Sequence, residues 1–563
     1  MSVFDLSSSP FASKLHTNYA PTEDDVARLK SLLVAPSLQL DDIDARIAEH
    51  QKAIDELSLQ RKPILDYVAA HKVLLSPIRR LPIDLLEEIF VACLPTDRNS
   101  AMSASEAPIS LGRVCSAWRT ISHATPIVSG RAADVAELCR ARTVQRLEVA
   151  ETWLARSGSC PLSVTLRTDP ADFDPDPGLD IEFKVWLVVA FLRLLLARAA
   201  QWQDIDLRLP QKVLPSLSGL KATDTPRLRS FKLDLTTTTS YQNPNQDLGL
   251  DLLRSPHLSE LHLLAFIVDP DAMKISFHQL TSLSLGSTTW SSFQPNLAQV
   301  LEIMVRCPRL LSFAAVVNHE RVPILPSTTF ESLTLESLSL QYYQQDQTAF
   351  HALRSISLPA LRHLSLFGGK LGYDDDASAL PDATTRFFAT SNKLTTLACD
   401  ISFLQGGPLN IVQSWLLDVV RALPASLERL GILDYPGQAL GTDSTVDDGL
   451  LALLTPGPTC PCPRLTDLSI RTCETISDPA LVAFIRAKAD AGLPLRRLRI
   501  KFIRVGTLNV AAELESGALT RQRASLPERE IHLDLEYETP IVFDAVADYG
   551  WRPDAEHEWF LWR

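Results

Sequence analysis

From about residue 200 onward the apolar positions along this chain fall into one recurring phrase, Leu-x-x-Leu-x-Leu. It reads PRLRSFKL at 226–233, PHLSELHL at 256–263 and FHQLTSLSL at 277–285. It returns as CPRLLSF at 307–313, LESLSL at 335–340, PALRHLSL at 359–366, KLTTL at 393–397, LERLGI at 427–432, PRLTDLSI at 463–470 and LRRLRI at 495–500. The leading leucines, 228, 258, 280, 310, 335, 361, 394, 427, 465 and 495, are 30, 22, 30, 25, 26, 33, 33, 38 and 30 residues apart. Alternation at period two puts apolar side chains on one face of a short strand. One such strand cannot bury its leucines alone, so the copies must stack. The intervals hold apolar stretches at helical spacing, at 296–305, 349–355, 411–423 and 478–487, which predict return helices. The longest intervals predict loop insertions. Strands are also expected at 161–166 and 202–209 before the array and at 532–537 after it.

The N-terminal third has a different period. Residues 1–22 are Ser-rich and polar and read as a flexible tail. A short helix is expected at 24–33, stopping near Pro36. From Leu40 a heptad seam follows: Leu40, Ile43, Ile47, His50, Ile54, Leu57, Arg61, Ile64, Val68, His71 and Leu75. Its three polar positions and Pro63 favour a kinked amphipathic helix folded back on its neighbours; dimerisation through 40–75 is the other reading. Residues 76–126 pair two shorter helical patterns. In the first, Pro82 suits a helix start and Asp84, Glu87 and Glu88 sit at the positive end of the dipole. Its apolar face is Leu85, Leu86, Ile89, Phe90 and Cys93; the second pattern has Leu111, Val114, Cys115, Trp118 and Ile121. Together they carry more apolar surface than so small a core needs, which points to docking. Residues 132–155 read as helix, with Val135, Leu138, Val144, Leu147 and Trp153 as core. The apolar run 185–196 reads as a buried helix, too short to span a bilayer.

Leu81-Pro82, Leu85-Leu86, Ile89-Phe90, Val114-Cys115 and Trp118-Arg119, in this order and spacing, resemble the F-box of fungal F-box-like proteins. The break at 95–110 is longer than in the compact F-box, and Ile127-Val128 stands where a Leu-Trp pair is usual. The C-terminal phrase is similar to the leucine-rich repeat, and RTCETISD at 471–478 resembles its cysteine-containing variant. The resemblance implies an α+β chain: all-α N-terminal helices with an F-box-like module, then an α/β solenoid with a curved parallel sheet and outer helices. Its divisions are a tail (1–22), a heptad segment (23–75), the F-box-like module (76–126), a helical linker and start of the solenoid (127–200), the solenoid proper (201–525) and a cap (526–563). The resemblance further implies binding to a Skp1-type adaptor through Ile78, Leu81, Pro82, Leu85, Leu86, Ile89, Phe90, Leu111, Val114, Cys115 and Trp118. Through that adaptor it implies a cullin-based ubiquitin ligase, with the repeats holding a target protein.

Composition narrows the rest. With 46% hydrophobic and 21% charged residues the 563-residue chain is globular. A formal net charge of −13 argues against a general nucleic-acid or anionic-membrane binder. Residues 1–10 lack the basic and apolar regions of a secretory signal, and the nine cysteines are odd in number and scattered, so a reducing compartment, cytoplasmic or nuclear, is expected. Cys460, Cys462 and Cys473 lack paired zinc-ligand spacing. Asp172, Asp174 and Asp176 begin like a calcium loop, but Gly178 comes one place late and Phe183 stands where the site needs Glu. No phosphate loop, nucleophile elbow or His-Glu-x-x-His is present. The chain is expected to bind partners without cofactor or catalysis.

The x positions beside the buried leucines point to the opposite face of each strand. They give the candidate target-binding residues Lys232, His262, Arg429, Asp467, Arg497, Arg499 and Lys501, with Asp234, Ser284, Ser339, Ser365 and Ser469 beside them. Arg497, Arg499 and Lys501 make a basic cluster suited to an acidic segment of a target. The alternative is a repeat scaffold whose F-box-like module acts outside a ligase. The C-terminal Trp551, Trp559 and Trp562 are expected to cap the solenoid.

Overall fold

A computed structural model describes residues 6–95, 99, 105–107, 109–124, 143–168, 181–236, 250–264, 274–286, 295–317, 330–342, 349–368, 380–401, 409–434, 446–492, 495–516 and 532–537. By compactness the chain divides into two units, Met1–Leu86 and Glu87–Arg563.

The first unit is dominated by one helix, α1 (Glu23–Leu74). Thr22 caps it by accepting the Asp25 amide, three acids occupy its first turn, and His71 and Lys72 its last. All of these favour the helix dipole. The expected stop near Pro36 does not occur, because the helix runs through it, and Pro63 also lies inside the helix. Each proline removes one backbone bond, and the flanking sequence is rich in Leu, Ala, Glu, Gln and Lys, which are good helix formers. No residue of α1 is buried. The expected tail is tethered from Leu6 onward: the Tyr19 hydroxyl donates to Asp25 at 2.5 Å, and the Lys14 ammonium lies 3.8 Å from the same carboxylate.

The second unit is built on a sheet of thirteen parallel strands in chain order. These are β1 (Leu162–Arg167), β2 (Trp202–Pro210), β3 (Ser230–Thr236), β4 (Glu260–Leu264), β5 (Ser282–Gly286), β6 (Ser312–Val317), β8 (Ser337–Tyr342), β10 (His363–Gly368), β11 (Thr396–Asp400), β12 (Arg429–Leu433), β13 (Asp467–Cys473), β14 (Arg497–Phe502) and β15 (His532–Glu536). Two short strands, β7 (Phe330–Glu331) and β9 (Ile356–Ser357), pair separately. The expected mixed α/β architecture is therefore present.

Every leading leucine of the recurring phrase is buried, as are the two apolar residues that follow it in register. Leu261, Leu283, Phe313, Leu338, Leu364, Leu397, Leu430, Leu468 and Leu498 lie side by side across the sheet. The proline in Pro-x-Leu has a local cause. The amides of Leu228, Leu258, Leu310, Leu361 and Leu465 donate to the carbonyls three residues before them. This places Pro226, Pro256, Pro308, Pro359 and Pro463 at the second position of a tight turn, where a fixed φ is favoured. The turn aims the chain into the next strand.

The return elements differ between intervals, and the 30-residue interval from Leu228 to Leu258 closes with a 3-10 turn, Asp251–Arg254. The 22- and 26-residue intervals close with 3-10 turns, Phe277–Gln279 and Ala349–Ser355. Five longer ones hold α-helices: Leu297–Arg306, Leu380–Thr390, Leu409–Arg421, Asp448–Leu454 and Asp478–Asp490. The extra length expected as loops thus also lengthens helices. Ahead of the array, Ile181–Leu196 buries Leu187, Val188, Phe191, Leu192 and Leu195, as its continuous apolar run predicts.

At the far end β15 is the last strand, and Tyr537 stacks on Phe502 with ring centroids 4.5 Å apart. Asp478, fully buried, gathers this end. It accepts from Arg504, from the Thr507 amide (2.7 Å) and hydroxyl (2.6 Å), from the Leu508 amide (2.9 Å) and from the Tyr537 hydroxyl (2.9 Å). Burial alone would raise its pKa; the Arg504 guanidinium and these donors hold the carboxyl well below its ordinary value. Val135, Leu138, the Asp172–Asp174–Asp176 stretch and the three C-terminal tryptophans lie outside the described residues.

Candidate functional site: an apolar helix face and an open sheet face

The docking candidates of 76–126 lie on or beside α2 (Ile83–Ala92), α3 (Ile109–Gly112) and α4 (Ser116–Ala124): Ile78 is in the 3-10 turn Pro77–Arg80, Leu81 and Pro82 precede α2, and Val114 and Cys115 join α3 to α4. The amide of Trp118 bonds to the Cys115 thiol at 3.5 Å, and Arg119 Nε donates to the Gly112 carbonyl at 3.0 Å. These local bonds fix the α3–α4 corner. Phe90 is fully buried and its ring lies 5.0 Å, centroid to centroid, from that of Trp118. The helices on either side of the long break therefore meet. Within that break, Asn99 donates to Thr165 on β1 at 2.9 Å.

The predicted residues divide by exposure. Leu86 and Phe90 are buried and belong to the core, so neither can present itself to a partner. Leu81, Leu111, Cys115 and Trp118 are half-buried. Ile78, Pro82, Leu85, Ile89 and Val114 are exposed, Leu85 by 51% and Val114 by 62%. Ile83, absent from the predicted set, is 61% exposed. Leu85 and Ile89 are one helical turn apart and share a face. The helical period could have located Ile83; it was masked by Pro82, which drew attention to the helix start.

Register aligns the x positions in rows on one face, but that face is open only in part: at β11 to β13 it is buried, and Asp467 and Ser469, expected among the target contacts, are 9% and 1% exposed and so are not available to a partner. Asp206, Lys232, His262 and Ser284 are neighbours across β2–β5. Ser284, Ala314, Ser339, Ser365, Ala398, Gly431 and Ser469 continue that row with small side chains, of which Ala398, Gly431 and Ser469 are buried. At the C-terminal end Arg429, Asp467, Arg497 and His532 form a second row.

The ends of the face are charged but internally matched. Arg167 bonds to Asp206 and Arg208 to Asp234, each at 2.8 Å. Arg499 donates to Asp534 at 2.9 Å, and Lys501 lies 3.8 Å from Glu536. The basic cluster expected at Arg497, Arg499 and Lys501 is thus offset by carboxylates on β15. Sequence spacing could not show that pairing. Burial, then the neighbouring Lys232, lowers the pKa of His262 to about 4, so it is neutral at physiological pH.

Cys462 and Cys473 are buried, and burial pushes both thiols up to about 12, which makes them poor nucleophiles. Among the described residues no cluster of His, Cys, Asp or Glu is arranged to hold a metal ion, and no helix is long and apolar enough to cross a membrane. No protein-family model matches the chain, and no curated protein matches it.

Proposed function

We propose that the chain is the substrate-recognition subunit of an SCF-type cullin ubiquitin ligase, with a Skp1-type adaptor held by the F-box-like helices. The sheet is then a leucine-rich-repeat solenoid, and its open face holds the target protein. One observation carries the reading: α2 keeps Leu85 and Ile89 exposed on one face, while Phe90 anchors the helix in the core. Exposed large apolar side chains on a rigid, internally satisfied helix are what a partner's groove requires. The subunit catalyses nothing itself; it raises the local concentration of target near a bound ubiquitin-conjugating enzyme.

Burial refines which residues serve. Along α2, Ile83, Leu85 and Ile89 are the accessible adaptor contacts; Leu86 and Phe90 are buried and support the helix. The test is co-purification of the full chain with a Skp1-type adaptor. Leu85→Asp with Ile89→Asp should abolish capture and leave the circular dichroism of the sheet unchanged. Persistent capture removes the assigned contacts. A wild-type chain that fails to capture the adaptor supports the second reading, a repeat scaffold acting outside a ligase.

A further inference from the structure

We propose that α1 pairs with α1 of a second copy of this chain as an antiparallel two-helix coiled coil. The inference is independent of the ligase reading. The helix is 52 residues long, about 78 Å at 1.5 Å per residue, and none of its residues is buried. From Leu40 to Leu75 its seam keeps a spacing of 3.5 residues, the period at which one helix winds around another of the same period. The seam side chains Ile43, Ile47, Ile54, Leu57, Ile64 and Val68 are 40–64% exposed. Covering the apolar seam on two copies removes about 1,200 Å² from water, the lower end for a stable specific interface. Pro63 falls at an outward heptad position and does not obstruct the seam.

Orientation follows from charge and from the polar seam positions. Residues 40–56 carry six acids against two bases, and residues 57–75 carry three bases against one acid. Antiparallel pairing sets each acidic half beside a basic half. It also allows one register in which Ile43 meets Val68, Ile47 meets Ile64 and Ile54 meets Leu57, each twice by symmetry. In that register His50 shares its layer with Arg61 and His71 falls opposite Leu40 at the end of the seam, so Ile43, Ile47, Ile54, Leu57, Ile64 and Val68 meet only apolar partners. A parallel pair in register would set Arg61 against Arg61.

The full chain at micromolar concentration should sediment at about twice 62.2 kDa. Ile47→Asp with Ile64→Asp should reduce it to the single-chain mass with the sheet's circular dichroism intact, because both side chains are exposed within one copy. An amine cross-linker should join Lys30 to Lys72. Those residues are about 63 Å apart along one straight helix, so the link can form only between antiparallel copies. A monomeric wild-type chain overturns the proposal, including one whose α1 resists proteolysis through cover from elsewhere. So does a dimer that survives the double substitution. Lys72–Lys72 links with no Lys30–Lys72 link overturn the orientation.

Discussion

Replacing Asp478 with Ala tests how the C-terminal end of the sheet is held. The carboxylate is fully buried and accepts from Arg504, Thr507, Leu508 and Tyr537. Removing it leaves the guanidinium of Arg504, itself 18% exposed at the side chain, without its counter-charge and two amides without acceptors. Breaking such a pair by deleting one partner costs about 3–5 kcal/mol. In a stacked repeat array each strand chiefly contacts its neighbours, so the cost falls on the end rather than on the whole sheet. Hydrogen exchange should therefore quicken at Thr507, Leu508 and across β14 and β15, while β3 to β6 keep their protection. The pH dependence has a definite sign. The folded-state pKa is depressed, so the contribution is fully present above the unfolded value near 4 and is lost as pH falls through the folded value. Wild type should lose C-terminal protection in strong acid, and Asp478→Ala should lack that component. A double-mutant cycle with Arg504→Met should return coupling of about 1–3 kcal/mol. Unchanged exchange at Thr507 and Leu508 in Asp478→Ala would refute the assignment of Asp478 as the tether.

Three further outcomes follow from the same side chains. Asp534→Asn with Glu536→Gln should unmask Arg499 and Lys501 and raise affinity for polyglutamate in a salt-dependent way; titration by fluorescence anisotropy checks it, and unchanged affinity shows that the β15 carboxylates do not govern the patch. Lys488 is buried, with the Leu465 carbonyl 3.3 Å from its ammonium, and burial lowers its pKa. The unfolded chain then holds this proton to higher pH, so stability gains a rising component between the lowered folded value and about 10.5; urea titrations of Lys488→Met should lack it. His262, neutral in the fold down to about pH 4, takes up its proton first in the unfolded chain. Its contribution is present above about pH 6.5 and lost between there and about 4, so His262→Gln should flatten the acid side of the stability profile in that window.

The strands were legible because one physical demand wrote them. A leucine at every other position, ten times over, has no use except a stacked sheet, and Leu228 to Leu495 are all buried as that demand requires. Pro-x-Leu was visible as a repeat but not as a turn, since the bond from Leu228 to the Thr225 carbonyl involves the backbone alone. Pro36 misled because a proline's local penalty was weighed without the flanking turns of good helix formers. At the docking helices, periodicity found the apolar set but could not sort it. Leu85 and Leu86 are identical in type and adjacent, yet one is 51% exposed and the other 6%. Only packing separates them.

The open face was the least legible, for a reason that bears on its proposed use. Its chemistry is decided between strands, at separations of about 30 residues: Arg208 finds Asp234, and Arg499 finds Asp534. Read singly, these side chains advertise charge; in register they largely neutralise one another. An acidic target segment at β14 must compete with carboxylates already placed 2.9 and 3.8 Å from the cations. A partner lying across β5 to β10 meets no such competition, because Ser284, Ala314, Ser339 and Ser365 in that row are small, uncharged and only half-buried. Small side chains let a backbone approach closely, and the serine hydroxyls among them supply hydrogen bonds without the desolvation cost of charge. Under the proposed function the target is therefore read by shape in the middle of the sheet, and charge at its ends sets where the target stops. Ser339→Glu with Ser365→Glu should then weaken target capture more than charge reversal at Arg497, Arg499 and Lys501. The opposite ranking in a pull-down with both variants would return the site to the C-terminal end.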